Sequence, residues 1–511
     1  MMVTALGHAG LELDHRGARV QIDPWLSPEG AFQASWFQWP DNSHLVDRIA
    51  PPHAVVISHE HLDHVDPWWL ARMPRGTPIY VPRYPLDVLR RKIVASGQTA
   101  VREVDPWNEV EVVPGVRLFF APERSPMNHD AAVVLRTEKY ALINCNDTRV
   151  DGLQLREMRA RIGHAPDLLA LQGAGASWFP MAYTHLDADA KASLSWRKRM
   201  ARLGYVERAV RAVEPVAILP FAGPPCFLDP ELGALNAEMG PYGIFPDPGQ
   251  VAAWMRARGW KGVLPMLPGD QYDLATRTYA ADPHWKGFSF DRREAEIAAY
   301  AARRRAAIDA VRARYPDPTE DLGPAVRAYF EALFGMSAYF CDKIGMRVGL
   351  DATGPGGGTW TIDFCRRRVE DGLDAVAYRY TLASRWLAPI LRREVPWEDF
   401  FLSCRFAVWR DPDVYNDHLL GLLKFADRSA LAAVEAWERG RDAGETIAVR
   451  ADGRCYEVQR FCPHAGQDLA EVGEVVPGDV LRCLGHHYEY DLRTGICRTG
   501  GDLTLRTRLV G

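Results

Sequence analysis

A chain of 511 residues is longer than one ordinary hydrophobic core can serve, so two or three domains are expected. Its composition, 47% apolar and 25% charged with a net charge of -5, is that of a globular protein, and so near a balance gives no basis for a nucleic-acid or membrane-surface partner. The opening residues lack a basic stretch followed by a long apolar one, and no window approaches the roughly 20 apolar residues of a membrane span; a cytoplasmic location is expected.

Residues 1–235 alternate strand and helix patterns. Val20-Gln21-Ile22 leads into Asp23-Pro24-Trp25-Leu26, and Ala54-Val55-Val56-Ile57 runs into His59-Glu60-His61-Leu62-Asp63-His64. Four of these last six residues are good metal ligands, and a strand that stops in a loop of imidazoles and a carboxylate suits ion binding. Alternation lets His59 and His61 point one way, while Asp63 and His64, at an expected helix start, turn back toward a second ion. The spacing predicts a two-metal layout. Arg117–Phe120, Ala131–Leu135 and Tyr140–Ile143 read as further strands, the last ending at Asn146-Asp147-Thr148, where Asp147 can reach into the cleft above the sheet.

The His-x-His-x-Asp-His run resembles the metallo-β-lactamase superfamily, and so does the opening Gly7-His8-Ala9-Gly10 turn with Asp23-Pro24-Trp25-Leu26. The resemblance implies an αββα sandwich with Asp147 bridging two ions, and His8 is read as structural rather than as a ligand. The superfamily pattern also supplies a histidine after the strand ending at Phe120 and another late in the domain. Here the sequence departs: Glu123 stands at the first place, with His129 ranked second and Asp130 nearby, and Leu219-Pro220-Phe221-Ala222-Gly223 carries no histidine. His185 is the one candidate for the late ligand. A shell this rich in carboxylate favours iron or manganese over zinc.

From 236 to about 340 the pattern is helical, over Asp291–Ala313 and Pro324–Tyr339. Arg303-Arg304-Arg305 and Arg197-Lys198-Arg199 read as solvated helix faces that could also contact an anion. After Gly354–Gly358, strands are expected over Thr359–Phe364 and Ala375–Tyr380, and a short helix over Leu382–Ala388 stopped by Pro389. This 236–425 extension, a helical and α+β block, loosely resembles a sterol-carrier-like arrangement from about 340. Arg439–Gly444 reads as a linker into a last domain, 440–511.

That domain contains Cys462-Pro463-His464 and, with 18 residues between His464 and Cys483, Cys483-Leu484-Gly485-His486. One cysteine and one histidine in each of two loops match a Rieske [2Fe-2S] centre, in which two thiolates hold one iron and two imidazoles the other. A zinc site of two cysteines and two histidines would not interleave them so. The flanks, Gly466 and Tyr488–Gly495, resemble the soluble oxygenase type, which implies an all-β domain. The extra cysteines of respiratory Rieske proteins are missing after both loops, where Gln467 and His487 occupy nearby positions. The nine cysteines form no evident disulfide framework, and Cys455 and Cys497 read as packed thiols.

A one-electron carrier has no use in hydrolysis, so the second motif shifts the first from zinc toward redox chemistry. His59, His61, Asp63, His64, Asp147 and Glu123 are expected to hold one or two non-haem irons that activate O2. Asp63, Asp147 and Glu123 are the carboxylates nearest the chemistry. Gly173–Met181, Pro220–Gly223, Asn146–Arg149 and Arg410–Tyr415 resemble stretches of the CMP-N-acetylneuraminate hydroxylases, Rieske iron monooxygenases that carry their cluster domain at the N-terminus instead. The resemblance implies a hydroxylase of a small metabolite or nucleotide-sugar-like substrate, fed by an external donor such as a ferredoxin, cytochrome or reductase. Two other readings remain: a metal-dependent hydrolase with a regulatory cluster, and an electron-transfer protein that reduces oxygen or nitric oxide.

Overall fold

The long apolar runs of the first three hundred residues form two sheets whose central strands are buried on both faces. A computed structural model describes residues 1–175, 177–440, 444–485, 487–500 and 502–511. Contacts divide the chain into one unit of Met1–Glu123, His129–Ala176 and Ala192–Val311, and another of Arg124–Asn128, Ser177–Lys191 and Arg312–Gly511.

In the first unit, β1 (Met2–Gly7), β2 (Gly10–His15), β3 (Ala18–Ile22), β4 (Ala54–Val56), β5 (Ile79–Pro82) and β6 (Val101–Val104) form a sheet in that order, parallel from β3 onward. The second sheet holds β7 (Val110–Val113), β8 (Val116–Pro122), β9 (Ala131–Arg136), β10 (Ala141–Asn144), β11 (Leu168–Gln172) and β12 (Ala217–Phe221), parallel from β10 onward. Alternation explains the continuous apolar runs. Val133, Leu135 and Leu142 pack with Val20 and Val56 between the sheets, whereas Val134 and Ile143 turn outward to Met158 and Val206 of the covering helices. Each such side chain, once buried, contributes about 1.5–3 kcal/mol. The other sheet is covered by Trp69, Leu70, Leu89 and Ile93, so the layers are αββα.

Beyond residue 235 the first sheet gains β13 (Gln271–Asp273) and β14 (Thr278–Ala280), with β13 antiparallel to β1. The helix expected to start at Asp63 begins instead at Pro67. Asp66 is its cap, accepting from the backbone N–H groups of Trp68 and Trp69, while Asp63 and His64 lie in the preceding turn.

In the second unit, β15 (Arg347–Thr353), β16 (Gly358–Asp363), β17 (Arg368–Asp371), β18 (Tyr378–Ala383) and β19 (Phe406–Arg410) form a sheet in the order β17-β16-β15-β18-β19. The expected strand at Ala375 starts three residues later, at Tyr378. The helix expected to stop at Pro389 runs from Ser384 to Leu391, so the proline sits in its last turns, where one lost backbone bond precedes termination. The helical pattern of Pro324–Tyr339 divides into Gly323–Phe334 and Ala338–Ile344, broken at Gly335 and recapped by Ser337. The C-terminal part has two three-stranded sheets, from β20 (Thr446–Ala451), β21 (Arg454–Gln459) and β25 (Thr507–Leu509), and from β22 (Gly473–Val476), β23 (Val480–Cys483) and β24 (Tyr488–Asp491). Among the described residues no helix is long and apolar enough to cross a membrane.

Candidate metal centres

β4 ends at Val56, and the chain leaves the sheet under the control of Asp23 at the end of β3. Asp23 accepts from the Ser58 backbone N–H (2.8 Å) and hydroxyl (2.6 Å), and its Oδ2 lies 2.9 Å from His64 Nδ1. The Ser58 hydroxyl is in turn 2.9 Å from His59 Nδ1. One buried carboxylate therefore fixes His64 directly and His59 through Ser58, leaving Nε2 of both rings to face inward. The His64 and Val65 backbone N–H groups both bond to the His61 carbonyl, which folds the loop back on itself.

Two groups of donors result. His59, His61 and Asp147 form one and His8, Asp63 and His64 the other, with the donor atoms of each group within 4.8 Å of one another. His59 Nε2 lies 2.9 Å from His61 Nδ1, and His8 Nε2 lies 2.9 Å from Asp63 Oδ2. His64 Nε2 is 3.6 Å from Asp63 Oδ2 and 3.5 Å from Asp147 Oδ1. Ligand atoms about 2.1 Å from one ion at 90–110° stand roughly 3.0–3.4 Å apart, so these separations suit direct coordination. Asp63 Oδ1 and His64 Nε2 are buried and make no hydrogen bond, as expected of atoms placed for an ion. The residues fit one or two divalent cations.

Charge balance agrees. Against the cost of burial, Asp63 and Asp147 hold His64 well above the usual histidine range. Asp63, despite burial, is held well below the usual carboxylate range by His64, His8 and His61. The carboxylates around His64 thus favour positive charge between them, the charge that a bound cation would supply. Asp147, at the end of β10, is positioned by Gln172 Nε2 (2.6 Å to Oδ1), and Arg202 Nε donates to the Gln172 carbonyl (2.9 Å).

The remaining candidates lie outside both groups. Glu123 Oε1 accepts from the backbone N–H of Arg149 (2.7 Å), two residues beyond Asp147. His129 stacks on Tyr84 with its Nδ1 3.8 Å from Glu60, and Asp130 Oδ1 lies 3.4 Å from His59 Nδ1. Burial, Glu123 and Asp147 push the Asp130 carboxyl well up. His185, the candidate late ligand, belongs to the other unit, where its Nε2 bonds to Asp413 at 3.0 Å. Sequence reasoning also missed Gln172 and Arg202, and it noted Asp23 only as part of a motif. The one available signal for Asp23 was its place at a strand end, where a buried carboxylate needs donors.

In the second unit Cys462 and Cys483 are both 1% exposed. Burial and the neighbouring Cys483 push the Cys462 thiol well up, and Tyr490 Oη lies 3.3 Å from its sulfur. Each cysteine opens a tight loop: Gly466 N–H bonds to the Cys462 carbonyl, and His487 N–H to that of Cys483. His464 stacks on Tyr488 (centroids 4.5 Å apart), with Nε2 3.1 Å from Asp417 Oδ1. Paired buried sulfurs with an imidazole beside them fit a [2Fe-2S] cluster; the fourth expected ligand, His486, lies outside the described residues.

Three domain families match the chain: a beta-lactamase superfamily domain over residues 18–216, an Rv3818-like, SCP2-like domain over 322–439, and a Rieske [2Fe-2S] domain over 429–504. A protein described as a Rieske 2Fe-2S iron-sulfur protein from Mycolicibacterium smegmatis is 32% identical, covering 98% of both chains. The cytidine monophosphate-N-acetylneuraminic acid hydroxylase of Cricetulus griseus is 25% identical over 44% of this chain and 40% of its own length. Among solved structures, CmlA, a diiron beta-hydroxylase from Streptomyces venezuelae, is 18% identical with a TM-score of 0.35, covering 51% of this chain and 52% of that one.

Proposed function

Because the chain belongs to the family of Rieske 2Fe-2S iron-sulfur proteins that includes its full-length mycobacterial relative, we propose that it is an oxygen-dependent non-haem iron monooxygenase. It hydroxylates a small molecule with electrons delivered through its own Rieske cluster. The observation that carries this reading is the presence in one chain of a thiolate–imidazole site suited to one-electron transfer and a separate imidazole–carboxylate site suited to iron. His59, His61 and Asp147 would hold one iron, and Asp63 and His64 a second. Glu123, tied to the Asp147 loop through Arg149, is the further carboxylate candidate, and His129 ranks behind it. Cys462, His464, Cys483 and His486 would hold the cluster.

When bound, the irons supply oxygen activation and the cluster supplies electrons drawn from an external ferredoxin, cytochrome or reductase. The protein's own part is positional. Asp23 and Ser58 fix the two imidazoles that face the ions, and Gln172 with Arg202 fixes Asp147. The low exposure of His59, Asp63 and His64, 1% or less each, would keep bulk water from an ion held by them.

Metal analysis of the purified chain tests the reading: two cluster irons plus one or two more are expected, whereas two irons with stoichiometric zinc would favour a hydrolase. Under 18O2 the label must enter an organic product; label found only in water would favour an oxygen-reducing electron carrier.

A further inference from the structure

His8 sits on the turn between β1 and β2 and was read from the sequence as structural. Its position argues otherwise. Phe221-Ala222-Gly223, at the end of β12, carries no metal-binding side chain. The Ala222 backbone N–H donates to the His8 carbonyl at 3.0 Å, so the turn carrying His8 lies directly against that segment. From there His8 Nε2 reaches Asp63 Oδ2 at 2.9 Å, within the converging group of His8, Asp63 and His64.

Two further observations fit a ligand better than a packing residue. His8 has a φ of 49°, a left-handed backbone that costs a side-chain-bearing residue of order 1–3 kcal/mol and is retained where position matters. Its side chain is 2% exposed, and Nδ1 is buried with no hydrogen bond, leaving Nε2 as the ring's hydrogen-bonding nitrogen. The ring thus aims Nε2, the atom that would bind an ion, at Asp63, whereas the unpaired Nδ1 is the same in either role.

The geometry points to His8 as a metal ligand, supplying from the N-terminal turn the imidazole that β12 does not. The assignment rests on the proposed metal reading of the His59–His64 site, and it completes the second ion's set as His8, Asp63 and His64. The competing role is a positioning one, in which His8 only orients Asp63 by a hydrogen bond.

Cobalt(II) separates the two. The cluster-loaded chain, stripped of its other metals by a chelator, is titrated with Co2+, and bound cobalt and the hyperfine-shifted exchangeable imidazole N–H resonances are counted. Two Co2+ and resonances from His8, His59, His61 and His64 are expected. His8→Gln keeps an amide donor for Asp63 without an imidazole. It is expected to lose one resonance and to weaken uptake of one of the two Co2+ at least tenfold, with the circular dichroism spectrum unchanged; His8→Ala should behave alike. Glutamine retaining both ions at wild-type affinity with no resonance lost would overturn the assignment and leave His8 orienting Asp63. A wild-type chain that takes up no Co2+ would instead sink the metal reading, and the ligand role with it.

Discussion

Asp23 bears more of the first site's geometry than any single candidate ligand. It has three donors within 2.9 Å: the Ser58 N–H, the Ser58 hydroxyl and His64 Nδ1. Removing such a partner of a ligating imidazole commonly costs about 10–100-fold in metal affinity, because ring orientation and basicity are lost together. Asp23→Ala is therefore expected to weaken metal binding by about that factor, read by competition with a chromophoric chelator. Equal affinity in the variant would mean that His59 and His64 are held by packing. Glu123 calls for the opposite comparison. Its Oε1 is engaged by Arg149 and it lies outside both donor groups. Glu123→Ala should lower the affinity for metal if its second oxygen completes the shell; full metal retention would remove it and advance His129.

At the scale of elements, the helix Asp417–Phe425 shows how much chemistry a first turn can carry. Asn416 caps it, accepting from the Leu419 N–H; Asp417 accepts from Tyr488 Oη at 2.7 Å, and His418 is flanked by Asp502 (2.5 Å) and Glu438 (2.9 Å). Against the cost of burial, these two carboxylates raise His418 from 6.5 to about 9. Lys343, Arg439 and Tyr339 also line the cavity of about 210 Å³ beside it. A folded-state pKa above the unfolded one stabilises fully below about pH 6.5, and that stability is lost as the pH rises through about 9. The contribution is at most about 3 kcal/mol. Urea midpoints should fall between pH 6.5 and 9.5 in the wild-type chain, and His418→Leu should be less stable and lose this part of the pH slope. An unchanged slope would mean that the imidazole is neutral in the folded protein.

The same helix marks where the sequence stopped being legible. β8, β9 and β10 were readable because both faces are buried, which writes unbroken apolar runs. The His59–His64 loop and the two cysteine loops were readable because their donors are close in sequence. β13 and β14 were not: each is three residues long, and β14 is fully exposed, so neither leaves a periodic signal. Asp417 beside His464, and His8 beside Asp63, are tertiary pairings from distant segments with no local pattern.

Over the whole molecule, donor chemistry is sorted by unit. The two imidazole–carboxylate donor groups, His59, His61 and Asp147 and His8, Asp63 and His64, lie in the first unit, and the paired sulfurs of Cys462 and Cys483 lie in the second. Thiolates select a cluster, whereas imidazole and carboxylate select a hard or borderline divalent ion, so neither set needs the other's metal to form its site. Each unit also has its own core: Val20, Val56, Val133 and Leu142 lie in that of the first, and Tyr456, Val458, Leu481 and Tyr490 surround the cysteines. Replacing Cys462 by Ser is therefore expected to abolish the Rieske absorption while the first site keeps its full metal, and His61→Ala should do the reverse. Elemental analysis and visible spectra of the two variants check both halves. Loss of both metals in either variant would mean that the sites are built cooperatively. With the partition intact, and on the proposed monooxygenase reading, a Cys462→Ser chain should bind metal normally yet fail to turn over with an external donor; turnover at the wild-type rate would mean that electrons reach the first site without the cluster.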